Sequence, residues 1–140
     1  MPDSLNARMA AALAPVLGEA AVYTYTFECP VCRVKTAGTS NLPVYCSEIH
    51  GGRTVWMTCD TKPVTFADPA VGWGLWERWA SSVLADIEVE FRADHTTTVE
   101  ITAYTTLSYA TFRGKGPTMW EALLSAWAQA LGVGEVSGDA

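Results

Sequence analysis

The chain has 140 residues, of which 49% are hydrophobic and 17% are charged. This composition excludes an intrinsically disordered chain, and the length predicts a single domain, residues 1–140, whose core needs no disulfide bond. The formal net charge is -6. That charge argues against a protein that binds mainly through nucleic-acid backbone contacts, because such contacts need a basic face.

The sequence carries no pattern typical of secretion or membrane insertion. Its N-terminus lacks the basic cluster and long apolar run of a signal peptide, and no apolar run reaches the roughly 18 residues of a membrane span. We therefore expect a cytoplasmic protein with no membrane partner. Cytoplasmic thiols stay reduced, so cysteines there are more often metal ligands than disulfide partners.

Hydrophobic periodicity predicts three helices and four strands along the chain. The helices are expected at residues 4–13, 68–83 and 118–131, and the strands at 22–27, 87–92, 99–104 and 107–112. Pro15 is expected to interrupt the first helix, since proline disfavours helical geometry in the residue before it. Asp68 and Pro69 begin the second helix, and Thr118 opens a capping box on the third.

The order of these elements indicates an α+β fold in which helices pack on an antiparallel sheet. A doubly wound α/β fold would need a crossover after each strand, and this order does not provide them. Residues 29–63 interrupt the pattern: they hold all four cysteines, show little periodicity and cannot build a core of their own. We interpret them as a zinc-binding insert of short strands and loops.

The cysteine spacing predicts a metal site in this insert. Two residues separate Cys29 from Cys32, as in a zinc knuckle, where two thiolates on a tight turn reach one ion at about 2.3 Å. Structural zinc takes four ligands, so Cys46, His50 and Cys59 compete for two places. We favour Cys46 with Cys59, because the residues just before Cys59 are typical of a strand that would deliver it. Cys46 with His50 is the alternative.

Two other interpretations of the cysteines stay open. The thiols could pack as small hydrophobic side chains without a metal. The Cys-Pro-Val-Cys pair could also be redox-active, but a thioredoxin-like site needs a βαβ setting, and a strand is expected after Cys32. On the zinc interpretation, four protein ligands close the site, which makes one ion per chain structural and not catalytic.

A second candidate site lies where the last predicted strand meets the last helix. Arg113 and Lys115 precede the helix start at Thr118, whose backbone amides could hold an anion, although a complete nucleotide-triphosphatase loop is absent. Trp73 falls outside the apolar stripe of its helix and is a candidate to stack on such a ligand. No nucleophile–base pairing is found, so we expect a protein that is not an enzyme.

Charged residues also line the polar side of the predicted hairpin. Glu88, Glu90 and Glu100 alternate with apolar residues, and Arg92 ends the predicted strand at 87–92. They could form an acidic site, yet a solvated sheet face needs such residues in any case. We therefore interpret them as a solvated face.

Parts of the chain resemble the phage ABA sandwich domain, a family of small proteins encoded by bacteriophages and prophages. The similar segments cover roughly half the chain. They are residues 4–10, residues 68–77, which are similar to the family's Asp-x-Ala-x-x-Trp helix start, and the strand pair followed by the helix at 118–131. The resemblance implies an α/β/α layering and carries over no catalytic residue. The Cys-rich insert departs from the family, as do Phe66 and Ala67, where the family often has Ser-Thr.

Three functional hypotheses follow. The first is a non-enzymatic, zinc-stabilised phage accessory protein with a counter-defence role, which binds a host protein or sequesters a small nucleotide through Arg113, Lys115 and Trp73. The second is a nucleic-acid-binding zinc ribbon, whose contacts would come from Arg33, Lys35, Tyr45, Arg53, Trp56 and Lys62. The third is an enzyme, which no motif favours. A homodimer is compatible with the first two.

Overall fold

The computed structural model describes residues 2–104 and 107–133. Its elements confirm the α+β fold with a Cys-rich insert. In chain order they are α1 (Pro2–Leu17), α2 (Glu19–Val22), β1 (Tyr23–Glu28), β2 (Lys35–Gly38), β3 (Thr58–Pro63), α3 (Pro69–Val83), β4 (Ala85–Phe91), β5 (Thr97–Tyr104), β6 (Tyr109–Gly116) and α4 (Met119–Ala130). Within these residues, no helix combines the length and the apolar character that crossing a membrane requires.

The strands form two antiparallel sheets where the sequence predicted one. The first sheet has the order β2-β1-β3 and the second the order β4-β5-β6. β1 therefore belongs with the insert, since Phe27 lies opposite Thr36 on one side and opposite Cys59 on the other. The β1–β2 connection is short, so closing it costs little chain entropy, and local pairing prevails over pairing with the distant later strands.

The second sheet presents one apolar face to two helices. Val99 and Ile101 on the central strand are fully buried there, and Phe112 packs against the same core, whereas Leu107 is exposed. α4 lies very close to β6. A Cβ atom at Gly114 would overlap the carbonyl oxygen of Ala122, so this helix position depends on glycine in the strand.

Tryptophan side chains fill the space between α3 and α4. Trp127 is fully buried, and its ring meets the ring of Trp76 at 5.5 Å between centroids and the ring of Phe66 at 5.9 Å. The indole N–H of Trp120 donates to the carbonyl oxygen of Phe66 at 2.9 Å. The core positions predicted for Trp76, Trp79, Trp120 and Trp127 are confirmed, since all four are buried.

The helix ends show which local signals were correct. The Asp68 side chain accepts from Ala70 N–H at 3.0 Å and begins α3 as predicted. Thr118 and Glu121 form the predicted capping box, with Glu121 N–H donating to Thr118 Oγ1 at 3.2 Å. The expected interruption at Pro15 is wrong, because α1 continues to Leu17. Proline lies close enough to the end of α1 that the last turn still forms around it.

Candidate metal centre

The turn between β1 and β2 has the geometry of a zinc knuckle. The Sγ atom of Cys29 accepts two backbone N–H groups, from Val31 at 3.4 Å and from Cys32 at 3.5 Å. The chain turns tightly here, since Arg33 N–H donates to Cys29 O at 2.9 Å and Cys29 N–H donates to Val34 O at 3.0 Å. The two thiols of the predicted pair therefore lie at one hairpin tip.

A second, smaller hairpin carries two further candidate ligands, Cys46 and His50. Cys46 N–H donates to Val55 O at 2.9 Å, and His50 N–H donates to Arg53 O at 2.9 Å. The turn consists of two glycines with φ of +61° and +77°. A two-residue turn with positive φ at both positions matches the twist of a hairpin and strongly favours glycine. This turn places His50 on the same side of the hairpin as Cys46.

The four side chains approach one another closely enough to share an ion. All four ligand atoms lie within 4.8 Å of one another. The Cys32 and Cys46 sulfurs are 3.8 Å apart, and Cys29 Sγ is 3.4 Å from His50 Nε2. Tetrahedral zinc, with Zn–S of about 2.3 Å and Zn–N of about 2.0–2.1 Å, requires edges of about 3.8 Å between sulfurs and about 3.5 Å between sulfur and nitrogen. Both measured distances fit.

Burial differs among the four ligands. Cys29 and Cys46 are buried, His50 is half-buried and Cys32 is exposed. The cluster is therefore closed on its inner side by the two hairpins and reaches solvent through Cys32. An ion could enter from that side without opening the fold.

The cluster favours one thiolate even without an ion. Burial disfavours ionisation of Cys29, but the N–H groups of Cys32 and Val31, with the Cys32 and Cys46 thiols, outweigh it and lower its pKa to about 6. For Cys46 the backbone N–H of Glu48 favours the thiolate. Burial and the neighbouring sulfurs outweigh that N–H and raise the pKa of Cys46. A divalent cation would offset the effects that disfavour the Cys46 thiolate, because it stabilises all the thiolates together.

His50, and not Cys59, completes the cluster, which corrects the preferred ligand set. Cys59 is exposed in β3, where its Sγ atom lies 3.7 Å from Thr61 Oγ1. The strand before Cys59 was predicted to deliver it to the metal, but β3 pairs with β1 so that Cys59 lies opposite Phe27, two residues short of the knuckle. The Gly51-Gly52 pair was the sequence signal for the hairpin that positions His50.

The structure separates Trp73 from Arg113 and Lys115, the other two residues of the predicted ligand site. Arg113 and Lys115 lie on the face of the second sheet that α4 does not cover, and Arg113 Nη2 is 2.7 Å from Glu100 Oε2. Trp73 lies beyond the opposite face, with its ring 5.9 Å from that of Trp120. The start of α4 is capped by its own Thr118. Arg113 and Lys115, two positions apart on one strand, therefore share a face, and the sheet separates both of them from Trp73.

The insert also exposes an aromatic pair, formed by Tyr45 and Trp56. Their rings are stacked with centroids 3.7 Å apart and an interplanar angle of 26°. About half of each side chain is exposed. The pair bridges the two strands of the hairpin that carries Cys46 and His50. An ion in the cluster would thus stabilise the hairpin that presents these rings.

Comparisons of the chain with protein-family models, with curated proteins and with solved structures find no match.

Proposed function

We propose that Cys29, Cys32, Cys46 and His50 bind one structural Zn²⁺, and that the protein is a binding protein, not an enzyme, which contacts its partner through the insert. The observation that carries this proposal is the approach of three thiols and one imidazole to within 4.8 Å of one another, with two of the separations close to the edges of a zinc tetrahedron. Thiolates together with an imidazole in this geometry favour zinc over the hard cations, which prefer oxygen ligands.

The ion would have a structural role, because the protein supplies all four ligands. Catalytic zinc keeps one position for water or substrate, and a complete Cys₃His set leaves none. The insert needs such support: its strands β2 and β3 are largely exposed. Zinc binding would then supply folding free energy that the short hairpins cannot obtain from hydrophobic burial.

The surface of the insert favours a protein partner. Seven of the fifteen large hydrophobic side chains exposed in the described part of the chain fall in residues 29–63: Val31, Val34, Leu42, Val44, Tyr45, Ile49 and Trp56. Most of them are aliphatic, which suits an apolar protein surface. A surface region that exposes many apolar side chains is more often an interaction site than a surface that stays in contact with solvent.

Charge adds selectivity to this surface. The insert has four Lys and Arg against two Asp and Glu, which gives it a net charge of +2. The remainder of the chain has a net charge of -8, so the whole chain has -6. Exposed apolar side chains on a segment of net positive charge suit an acidic partner. In line with the resemblance to phage proteins, we propose a host protein met in the reducing host cytoplasm, with counter-defence as the biological role.

Single-stranded nucleic acid is the second candidate partner. The specific observation in its favour is the exposed Tyr45–Trp56 pair beside the basic insert. Aromatic rings stack on bases with little dependence on sequence, and Lys and Arg follow the backbone. Fluorescence anisotropy with labelled 20-nucleotide DNA and RNA at about 50 mM salt separates the candidates, since nucleic-acid binding would be strong there and would weaken steeply with added salt.

The zinc proposal is tested by metal analysis of protein purified without added metal. We expect about one zinc per chain. Substoichiometric zinc together with four titratable thiols would show that the cysteines are not ligands.

The partner proposal is tested by placing a photo-cross-linkable residue at Ile49 in cells where the chain is naturally made, with the same residue at exposed Leu107 as control. A single protein cross-linked from Ile49, absent from the control and lost with Cys32→Ser, supports the insert as the binding surface. Equal cross-linking from both positions would contradict it.

A further inference from the structure

The face of the second sheet that the helices leave uncovered forms a concave site with an unsatisfied hydroxyl group in its floor. The site has a volume of about 610 Å³, and its lining includes three carboxylates, three basic side chains and Thr98. Thr98 is 7% exposed, and its Oγ1 atom has no hydrogen-bond partner within the described residues. A buried hydroxyl without a partner costs free energy, so its presence needs an explanation.

The strand register places Thr98 in one charged row, next to a second one. Thr98 lies opposite Glu90 on β4 and opposite Lys115 on β6. The adjacent row on the same face contains Glu88, Glu100 and Arg113. Thr98 on the central strand is therefore flanked by side chains long enough to move aside for a ligand.

Two ion pairs form in the site, and one acidic and one basic side chain of the site remain outside them. Arg92 Nη2 is 3.1 Å from Glu90 Oε1, and Arg113 Nη2 is 2.7 Å from Glu100 Oε2. Glu88 and Lys115 form no ion pair with any part of the chain that the structure describes. They stand on the two edge strands, diagonally across the central one. Strand spacing and rise put their Cα atoms about 12 Å apart.

From this arrangement we infer that the face binds a small zwitterion of dipeptide size. Glu88 receives the ammonium group, Lys115 receives the carboxylate, and Thr98 Oγ1 hydrogen-bonds the central amide. A polyanionic nucleotide fits less well, because the three carboxylates of the site balance its three cations. A lone metal ion fits less well for the same reason. The inference concerns a site separate from the insert and does not depend on zinc.

Calorimetric titration with diglycine and three matched probes tests the inference. N-Acetylglycine lacks the ammonium group, glycinamide lacks the carboxylate, and 5-aminopentanoate has the same chain length without the amide. We expect diglycine to bind at least about tenfold more tightly than each of the three, since each loses one charge-assisted or buried hydrogen bond. The absence of diglycine binding up to about 10 mM, or equal affinity for all four probes, would overturn the inference.

Variants separate ligand binding from folding. Thr98→Val keeps the shape of the side chain and removes the unsatisfied hydroxyl. It should lower diglycine affinity to that of 5-aminopentanoate while the melting temperature stays equal or rises. Thr102→Val, on the same strand and face but outside the site, is the control. Glu88→Gln and Lys115→Gln should each weaken diglycine binding at least about tenfold. Wild-type affinity in Thr98→Val would show that the hydroxyl has no part in binding.

Discussion

The Nε2 atom of His50 lies 3.4 Å from the Sγ atom of Cys29, although 21 positions separate the two residues. Each residue sits in its own hairpin, and no secondary-structure element joins them directly. The hairpins meet at these side chains, so an ion at this point would cross-link them.

Removing the metal should unfold the insert and leave the second sheet intact. The buried side chains of that sheet and its helices, including Val99, Ile101 and Trp127, come from outside the insert. We expect a strong chelator to remove hydrogen-exchange protection from residues 35–63 while residues 97–103 and 119–130 keep theirs. Identical exchange with and without the chelator would show that the insert folds without an ion.

The fourth ligand can be identified by a pair of substitutions. His50→Ala should weaken zinc binding by more than about 100-fold, because it leaves three ligands and an open position. Cys59→Ser should leave zinc affinity unchanged, since Cys59 lies outside the cluster. A competition assay with a chromogenic zinc chelator measures both. The reverse ranking of the two variants would restore Cys59, which the strand-like residues before it favoured, as the fourth ligand.

Replacing Arg33 should stabilise the knuckle. Arg33 has φ of +65°, a conformation that costs an ordinary residue about 1 kcal/mol and glycine almost nothing. The ion pair of Arg33 with Glu28, 3.7 Å long and exposed at Arg33, offsets little of that gain. We expect Arg33→Gly to raise the free energy of unfolding of the zinc-loaded protein by about 0.5 kcal/mol.

Urea unfolding measures this change, with Arg53→Gly as the control. Arg53 lies in the other hairpin and is not among the residues with positive φ. Its replacement should therefore bring no gain, and a gain in both variants would mean that the backbone conformation of Arg33 is not the cause.

Two glycines should respond in opposite directions to the same change. Gly114→Ala would force a Cβ atom into the backbone of α4 at Ala122, and we expect a loss of about 3 kcal/mol. Gly74→Ala adds a Cβ atom on α3 with nothing within 4 Å, so helix propensity should raise stability by about 0.5–1 kcal/mol. Thermal unfolding of the two variants checks both signs. A Gly114→Ala protein as stable as wild type would contradict the close helix–strand approach.

Local patterns predicted the elements of this protein well. Alternation over residues 87–104 predicted β4 and β5, and cap residues such as Asp68 and Thr118 marked where α3 and α4 begin. These signals work because each depends on neighbours a few positions away. The Cys29–Cys32 spacing indicated a metal site for the same reason, since both thiols belong to one turn.

Sequence alone determined the α+β class, the location of the insert and the first two residues of the candidate metal cluster. Only the tertiary structure decided that β1 pairs with the insert, that His50 displaces Cys59, and that Arg113 and Trp73 lie on opposite sides of a sheet. The physical reason is the separation along the chain over which each signal acts. Helix periods and turn residues act over a few positions, whereas the β1–β3 register, which fixes the place of Cys59, pairs residues 30 or more positions apart.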